Sequence, residues 1–501
     1  MPKKVILCIL DGWGVAPASA GNAITSANPK VYNYLLQNFP NTTLNASGPA
    51  VGLPVDQDGN SETGHLNIGA GRTVYQDLSL INMSIADGSF FTKPTLLLAT
   101  RHIKSFDSRL HLLGLIGASG VHASNDHLYA LMLFAKKQGI KDVFIHLITD
   151  GRDSPPDDAI NQVKIVEDKI KSIGIGQIAS VMGRYYAMDR DQRWDRTQLA
   201  YNCLVQADQN TSQSPMDFIS SQYAKNIFDE FIEPTAVTQN FQNSRVKAGD
   251  VVCFFNFRTD RPRQLTELFL RQPFPNQLFL TMTPYKKEFA APTIFGSSLV
   301  TQTLGEVISQ SKNKQLRMAE TEKIAMVTYF FNGLSEKIFE GEVREFIDSP
   351  KVATYDEVPA MSTEKLVQQF CENFKKDNFT LAVINIACPD MVAHTGKIDK
   401  TIEAILAVDN ALAEIVNLAK ETDTYLFITA DHGNAEELIN LKSGKTDTEH
   451  STFPVPLIIY HSEDSQFKLD QGKLGDIAPT ILDILEIEKP AEMSGQNLII
   501  R

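Results

Sequence analysis

The sequence predicts an α/β fold in two domains, on three observations. Short apolar runs alternate with amphipathic stretches, motifs rich in chemistry follow the apolar runs, and 501 residues exceed what a single core sustains. Runs at 5–10, 110–116, 143–148, 178–182, 251–255, 278–282, 381–386, 425–429 and 455–460 end in polar or Gly-rich residues and read as buried strands. Stretches at 125–138, 159–173, 363–375 and 401–419 read as helices that separate many of these strands. Strands joined through helices run parallel, so largely parallel sheets are expected.

Taken in order, the first run is bounded by Lys3-Lys4 and Asp11, and its six residues read as a first strand rather than a signal peptide. No apolar run approaches the ~18 residues of a membrane span. A net charge of −13 argues against a general nucleic-acid or anionic-membrane binder but allows a small anionic substrate where arginines concentrate. The five cysteines are scattered and form no Cys-x-x-Cys pair, which suggests neither a disulfide framework nor a thiolate zinc site and fits a reducing cytoplasm. No heptad or long apolar patch asks for a partner, so a monomer is expected.

After the first strand comes Asp11-Gly12-Trp13-Gly14, a carboxylate at the strand edge where open α/β sheets bind ligands. The loop Asp58-Gly59-Asn60-Ser61-Glu62-Thr63-Gly64-His65 then places one serine before a helix start. Such a serine is either a helix cap or a nucleophile held where unpaired N–H groups and the helix dipole favour phosphate.

The middle of the chain carries arginines after strands: Asp150-Gly151-Arg152-Asp153, Gly183-Arg184 through Arg190, and Arg258-Thr259-Asp260-Arg261. Guanidinium forks match carboxylate and phosphate oxygens, although Arg-Asp neighbours also form surface pairs of little value. Asp153, beside Arg152, is a candidate general acid/base for a substrate hydroxyl. Near the C-terminus, Asp390 and His394 stand four apart, Asp431-His432 follows another strand, and His450 precedes the strand at 455–460. Alone, each is a turn, a surface pair or a loop histidine. Three aspartates, three histidines and a serine together suffice for two divalent sites, and their donors suit Mn²⁺ or Zn²⁺ better than a Ca²⁺ cage.

Because the acidic motifs lie at both ends and the arginines between them, one domain is expected at 1–76 with 298–501 and an inserted domain at 77–297.

With these residues assembled, the chain resembles the cofactor-independent phosphoglycerate mutases, a branch of the alkaline phosphatase superfamily. The motifs are Asp-Gly-Trp-Gly at 11–14, Gly-Asn-Ala-Ile at 21–24, Asn-Ser-Glu-x-Gly-His-Leu-Asn-Ile-Gly-Ala-Gly-Arg at 60–72, Asp-Gly-Arg-Asp at 150–153, Gly-Arg-Tyr-Tyr-Ala-Met-Asp-Arg-Asp at 183–191, Phe-Phe-Asn-Phe-Arg-x-Asp-Arg at 254–261, Ala-Glu-Thr-Glu-Lys at 319–323 and Ala-Asp-His-Gly-Asn at 430–434. The resemblance implies an alkaline-phosphatase-like metal-binding domain from the chain ends and an α/β phosphotransferase domain inserted in it. It implies that Ser61 carries a transient phosphoryl group. One Mn²⁺ would be held by Asp390, His394 and His450, and a second by Asp11, Ser61, Asp431 and His432. Substrate, 3-phosphoglycerate or 2-phosphoglycerate, would be held by His122, Arg152, Asp153, Arg184, Arg190, Arg258, Arg261 and Lys323, with no requirement for 2,3-bisphosphoglycerate. Ser61, Asp153 and Lys323 would be catalytic.

Read without the resemblance, His122 is a loop histidine and Lys323 a surface lysine. Met326, Thr63, Phe453 and Ala393 depart from the usual family residues, and none removes an implied ligand or the nucleophile. The competing reading is a metal-dependent phosphomonoesterase of the same superfamily, which needs the terminal motifs but not the arginines.

Overall fold

The computed structural model describes residues 3–207, 209–238, 241–296, 300–440, 443–463 and 466–501. The chain divides into two compact units, Met1–Gln76 with Leu299–Arg501, and Asp77–Ser298. The 297/298 boundary expected from the sequence lies outside the described residues.

The first unit is built on an eight-stranded sheet. Its strands, from one edge to the other, are Glu342–Ile347, Lys314–Glu320, Phe379–Ile386, Val5–Leu10, Tyr425–Thr429, Val455–Tyr460, Asn41–Asn45 and Gly472–Lys473. The central strand VILCIL is wholly buried and pairs in parallel with both neighbours, Leu10 opposite Ile386 and Ile9 opposite Thr429. A strand covered on both faces reads as a continuous apolar run, which is why this one was visible in the sequence. Val455–Tyr460 is antiparallel to both of its partners, so the sheet is mixed. The helix predicted at 401–419 extends over Ile398–Glu421, and its Asp409 accepts from the N–H groups of Lys30, Val31 and Tyr32 at the start of helix Lys30–Asn38. Those N–H groups lack partners inside their own helix, and a carboxylate there also favours the helix dipole.

In the second unit a six-stranded sheet runs in the order Thr235–Ala236, Gln177–Gly183, Val143–Thr149, Leu110–Leu115, Val251–Phe254 and Leu278–Thr281. All pairings but the first are parallel. Helices Asn125–Lys137 and Ala159–Ile173 connect consecutive strands and bury Leu128, Leu131, Val163 and Val166. Among the described residues, no helix is long and apolar enough to cross a membrane.

Among the described residues, three strands longer than two residues were not visible as apolar runs: Asn41–Asn45, Lys314–Glu320 and Glu342–Ile347. The first and third lie at or near a sheet edge and are half exposed. The second is fully buried beyond Lys314 despite containing Gln315, Arg317 and Glu320. Gln315 donates to the Gly305 carbonyl and accepts from Arg317, whose guanidinium lies 4.2 Å from the Phe331 ring centroid. Partners supplied by the folded chain allow the polar groups to be buried.

Candidate active site

Four adjacent parallel strands of the larger sheet deliver one cluster from their C-terminal ends. Lys323 follows Lys314–Glu320, Asp390 follows Phe379–Ile386, Asp11 follows Val5–Leu10, and Asp431 with His432 follows Tyr425–Thr429. The loops are tied directly, for Gly12 N donates to Asp431 Oδ1 at 3.2 Å across 419 residues of chain.

Ser61 opens the helix Ser61–Ala70, but Asn60 caps it, accepting from Thr63 N at 2.9 Å. The serine hydroxyl is therefore not used as a cap. It lies 2.8 Å from Lys323 Nζ, 2.9 Å from His432 Nε2 and 3.3 Å from Asp11 Oδ1. The close approach of this helix to the Asp431 loop requires Gly64, where any Cβ would collide with the Asp431 carbonyl.

Lys323 is buried, contrary to its reading as a surface lysine. Its ammonium donates to Asp11 Oδ1 at 2.6 Å and to Asp390 Oδ2 at 2.8 Å. Burial disfavours its charge, but Asp11, Asp390 and Asp431 outweigh that and raise its pKa. Burial likewise raises the pKa of Asp390 and Asp431. Lys323 and the neighbouring imidazoles reverse this and hold both carboxyls below their usual range. His432 is disfavoured as a cation by burial, yet Asp431, Asp11 and Asp390 lift it to about 10. The site has an excess of buried carboxylate that calls for positive charge.

The three histidines are oriented alike. Nδ1 of His394, His432 and His450 faces the carbonyls of Thr448, Gly433 and Gly59, at 2.8, 3.2 and 2.8 Å. These bonds assign a proton to Nδ1 and turn each Nε2 toward the carboxylates, the orientation in which imidazole ligands to metals are usually held once Nε2 gives up its proton. His394 Nε2 and His450 Nε2 lie 3.1 Å apart, and both approach Asp390 Oδ1, at 3.3 and 3.5 Å. Two neutral lone pairs at that distance repel unless a proton or a cation lies between them. His432 Nε2 also lies 3.6 Å from Asp11 Oδ1 and 3.5 Å from Asp431 Oδ2. Asp431 Oδ2 is buried without a well-aligned donor. Hard oxygens and imidazole nitrogens converging in this way fit divalent Mn²⁺ or Zn²⁺, in two overlapping groups around His432.

Three further residues were not singled out from the sequence. His65, one turn after Ser61, turns Nδ1 toward the Ser61 carbonyl at 2.9 Å and lies 3.2 Å from Asp431 Oδ2. Asn385 donates to Asp11 Oδ2 at 2.7 Å and approaches His65 Nε2 at 3.1 Å, and Asn434 donates to Asp390 Oδ1 at 2.8 Å. His65 and Asn434 sat within quoted motifs without a role, whereas Asn385 lay in an apolar run and gave no signal.

The second unit carries a separate cluster at the C-terminal ends of its own adjacent strands. Buried Arg184 donates from Nη1 to Asp150 Oδ1 and Asp153 Oδ2, each at 2.5 Å, and from Nη2 to His122 Nε2 at 3.1 Å. Asp260 joins Arg190, at 3.0 Å, and Arg258, at 3.1 Å. Arg261 donates to the Met188 carbonyl, and its pKa is lowered by burial and by the charges of Arg184, Arg190 and Arg152. Arg152 also pairs with Glu230. Burial, with Arg184 and Arg258 beside it, lowers His122 to about 4, so it is neutral near pH 7. Burial opposes ionisation of Asp153, but Arg184 and His122 keep its pKa low and the group a carboxylate. Of the eight residues implied for substrate, seven meet here. Lys323 belongs to the other unit, beside Ser61.

Comparison with known proteins accords with this division. The family profile described as BPG-independent PGAM N-terminus matches residues 81–287, and the Sulfatase profile matches residues 333–487. A 2,3-bisphosphoglycerate-independent phosphoglycerate mutase of Acetivibrio thermocellus is 46% identical over 510 residues, covering 100% of this chain and 99% of the relative. One from Moorella thermoacetica is also 46% identical, over 509 residues, with 100% and 99% covered. A crystal structure of Leishmania mexicana phosphoglycerate mutase at low cobalt concentration matches with a TM-score of 0.61 and 26% identity, covering 100% of this chain and 98% of that one. The chain thus belongs to the 2,3-bisphosphoglycerate-independent phosphoglycerate mutase family, with an inserted α/β unit and a unit of alkaline phosphatase type.

Proposed function

We propose that this protein interconverts 3-phosphoglycerate and 2-phosphoglycerate through a phosphoserine at Ser61, with two Mn²⁺ ions and no added 2,3-bisphosphoglycerate. The reaction belongs to glycolysis and gluconeogenesis, and the reading carries with it a cytoplasmic monomer. The observation that carries the proposal is the uncapped Ser61 hydroxyl, within 2.9 Å of both Lys323 Nζ and His432 Nε2.

Asp390, His394 and His450 would hold one ion, and Asp11, Ser61, Asp431 and His432 the other. Bound cations of this kind lower the pKa of a hydroxyl and offset charge on phosphoryl oxygens. Ser61 Oγ attacks phosphorus in line as the bond from phosphorus to the 3-oxygen of the substrate breaks, the serine proton passes to that leaving oxygen to give glycerate, and Lys323 Nζ, already directed at Ser61 Oγ, stabilises the charge that develops. The free backbone N–H groups at the start of the Ser61 helix, and its dipole, would favour the same anion. Arg152, Arg184, Arg190, Arg258 and Arg261, with neutral His122, bind the carboxylate and phosphate and retain glycerate while it reorients. Asp153 Oδ2 takes the proton of the 2-hydroxyl, and that oxygen accepts the phosphoryl group from Ser61. Holding the acceptor beside phosphoserine gives it an effective concentration on the order of 10⁵ M in favourable cases, which explains transfer to glycerate rather than to water.

The test is an assay of 3-phosphoglycerate with Mn²⁺, following 2-phosphoglycerate and inorganic phosphate together. Isomerisation with little phosphate release is expected, and phosphate release without isomerisation would favour the phosphomonoesterase reading. Asp153→Asn should lower isomerisation by about 10²–10⁴-fold and raise the share of phosphate lost to water. An unchanged isomerisation rate in that variant would remove Asp153 from the mechanism.

Protons compete with a cation for the histidine lone pairs. The Asp390 hydrogen bond raises the pKa of His394, and the carboxylates around His432 more than offset its burial, so both hold a proton more tightly than free imidazole in the metal-free site. Mn²⁺ affinity should therefore rise with pH, by up to about tenfold per pH unit for each proton displaced. Activity should fall on acidification for the same reason. Calorimetry in buffers of different ionisation enthalpy measures the proton release, and a pH-independent affinity between pH 6 and 8 would contradict it.

A further inference from the structure

The mechanism above leaves one buried carboxylate unused. Glu436 is almost wholly buried, and among the described residues its hydrogen bonds and close polar contacts are all to neutral donors. Its Oε2 accepts from Gly14 N and from Asn434 N, each at 2.9 Å, and its Oε1 accepts from the Ser451 hydroxyl. Each donor lies next to a group of the proposed cation site. Gly14 ends the turn begun by Asp11. Asn434 follows Asp431-His432-Gly433, and its side chain donates to Asp390 Oδ1 at 2.8 Å. Ser451 follows His450, and its own N–H donates to the Gly433 carbonyl at 3.0 Å.

The loops are packed against this carboxylate, for a Cβ on Gly14 or on Gly433 would fall on the Glu436 carboxylate. A backbone crossing links the same elements, with Ala435 N donating to the Gly12 carbonyl at 2.9 Å. Apart from Glu436, the Asp11 and Asp431 loops are joined by that crossing and by Gly12 N to Asp431 Oδ1, which is itself a ligand group, and ligand convergence does not tolerate a slide of a fraction of an ångström.

We propose that Glu436 is a positioning residue that clamps three ligand-bearing loops, Asp11–Gly14, Asp431–Asn434 and His450–Ser451, and so sets the geometry of both cation sites at once. The inference rests on the reading of the cation site given under Proposed function. A carboxylate buried without a counter-charge is strongly disfavoured unless hydrogen bonds satisfy it, and three donors from three segments do so here. The same chemistry makes the amide a partial substitute. In Glu436→Gln, the amide oxygen can keep the two N–H donors while its NH₂ group faces Ser451, whereas Glu436→Asp falls one methylene short and Glu436→Ala removes every tie.

The probe is Mn²⁺ alone, titrated into the full-length protein by calorimetry and by the loss of the free-ion electron paramagnetic resonance signal. Glu436→Ala is expected to weaken Mn²⁺ binding by about 10- to 100-fold at both sites, Glu436→Asp by a similar factor, and Glu436→Gln by less than tenfold. Ser451→Ala, which removes one tie and leaves the carboxylate in place, should fall between wild type and Glu436→Ala. Far-UV circular dichroism identifies any variant that fails to fold. If Glu436→Ala does fail, the Asp and Ser451 variants decide the question. Wild-type affinity in folded Glu436→Ala or Glu436→Asp would overturn the inference, as would equal losses in the Gln and Ala variants. Failure of the wild-type protein itself to bind Mn²⁺ would instead overturn the cation site on which the inference rests.

Discussion

Ser61→Ala is expected to abolish isomerisation, lowering the rate by about 10⁴-fold or more, because no other group in the cluster offers a hydroxyl to receive the phosphoryl group. The structure makes this variant informative, since Asn60 rather than Ser61 caps the helix. Loss of the serine side chain should change stability by no more than about 0.5–1 kcal/mol, within the range of substitutions that leave caps and core intact. Rate and fold are therefore separable. Quench-flow with ³²P-labelled substrate should trap a labelled protein from wild type and none from Ser61→Ala. Isomerisation that survives in the variant would sink the phosphoserine mechanism, and a collapsed fold would show that the helix start depends on the serine after all.

Lys323→Met carries the second large effect, and it separates the charge of the ammonium from its bulk. Removing one partner of a buried ionic cluster costs about 3–5 kcal/mol because it leaves the opposite charges unpaired. Here Asp11 and Asp390 would lose their direct partner, and Asp431 a neighbouring positive charge. Metal-free Lys323→Met should thus unfold at markedly lower denaturant than wild type. Saturating Mn²⁺ should recover more stability in the variant than in wild type, since the ions supply the missing charge and stabilise the folded state by mass action. Activity should stay low even with Mn²⁺, by about 10²–10³-fold, because the donor to Ser61 Oγ is gone. Denaturation with and without Mn²⁺ checks the first claim. Equal stability of the two metal-free proteins would show that the carboxylates are protonated or hydrated and do not need Lys323.

The two substitutions probe a site that was partly legible from sequence. Asp11, Asp390 and Asp431 stood out because each follows an apolar run, and a carboxylate at the C-terminal edge of a parallel strand is in a ligand-binding position by topology alone. The arginine loops stood out for the same reason. Ser61 was ambiguous, since a serine before a helix serves equally as a cap, and the ambiguity ended only when Asn60 was seen to accept from Thr63 N. Lys323 gave no local signal of burial. A lysine is ordinarily solvated, and this one is buried because residues far from it in the chain supply its counter-charges.

Other elements divide along the same line. Strands Val5–Leu10, Tyr425–Thr429 and Val455–Tyr460 coincide with the predicted runs because each is buried along its whole length. Asn41–Asn45 and Lys314–Glu320 were invisible because their polar residues lie near a sheet edge or, like Gln315 and Arg317, are buried beside partners such as Gly305 and Phe331. By itself the sequence determined the α/β class, the family and the candidate residues, since burial periodicity and motif order are written locally along the chain. Only the tertiary structure decided which nitrogen of each histidine faces the carboxylates, that Lys323 is buried among them, and that Glu436 joins three loops. Those outcomes depend on which donors and charges meet across hundreds of residues, and a local pattern holds no record of that pairing.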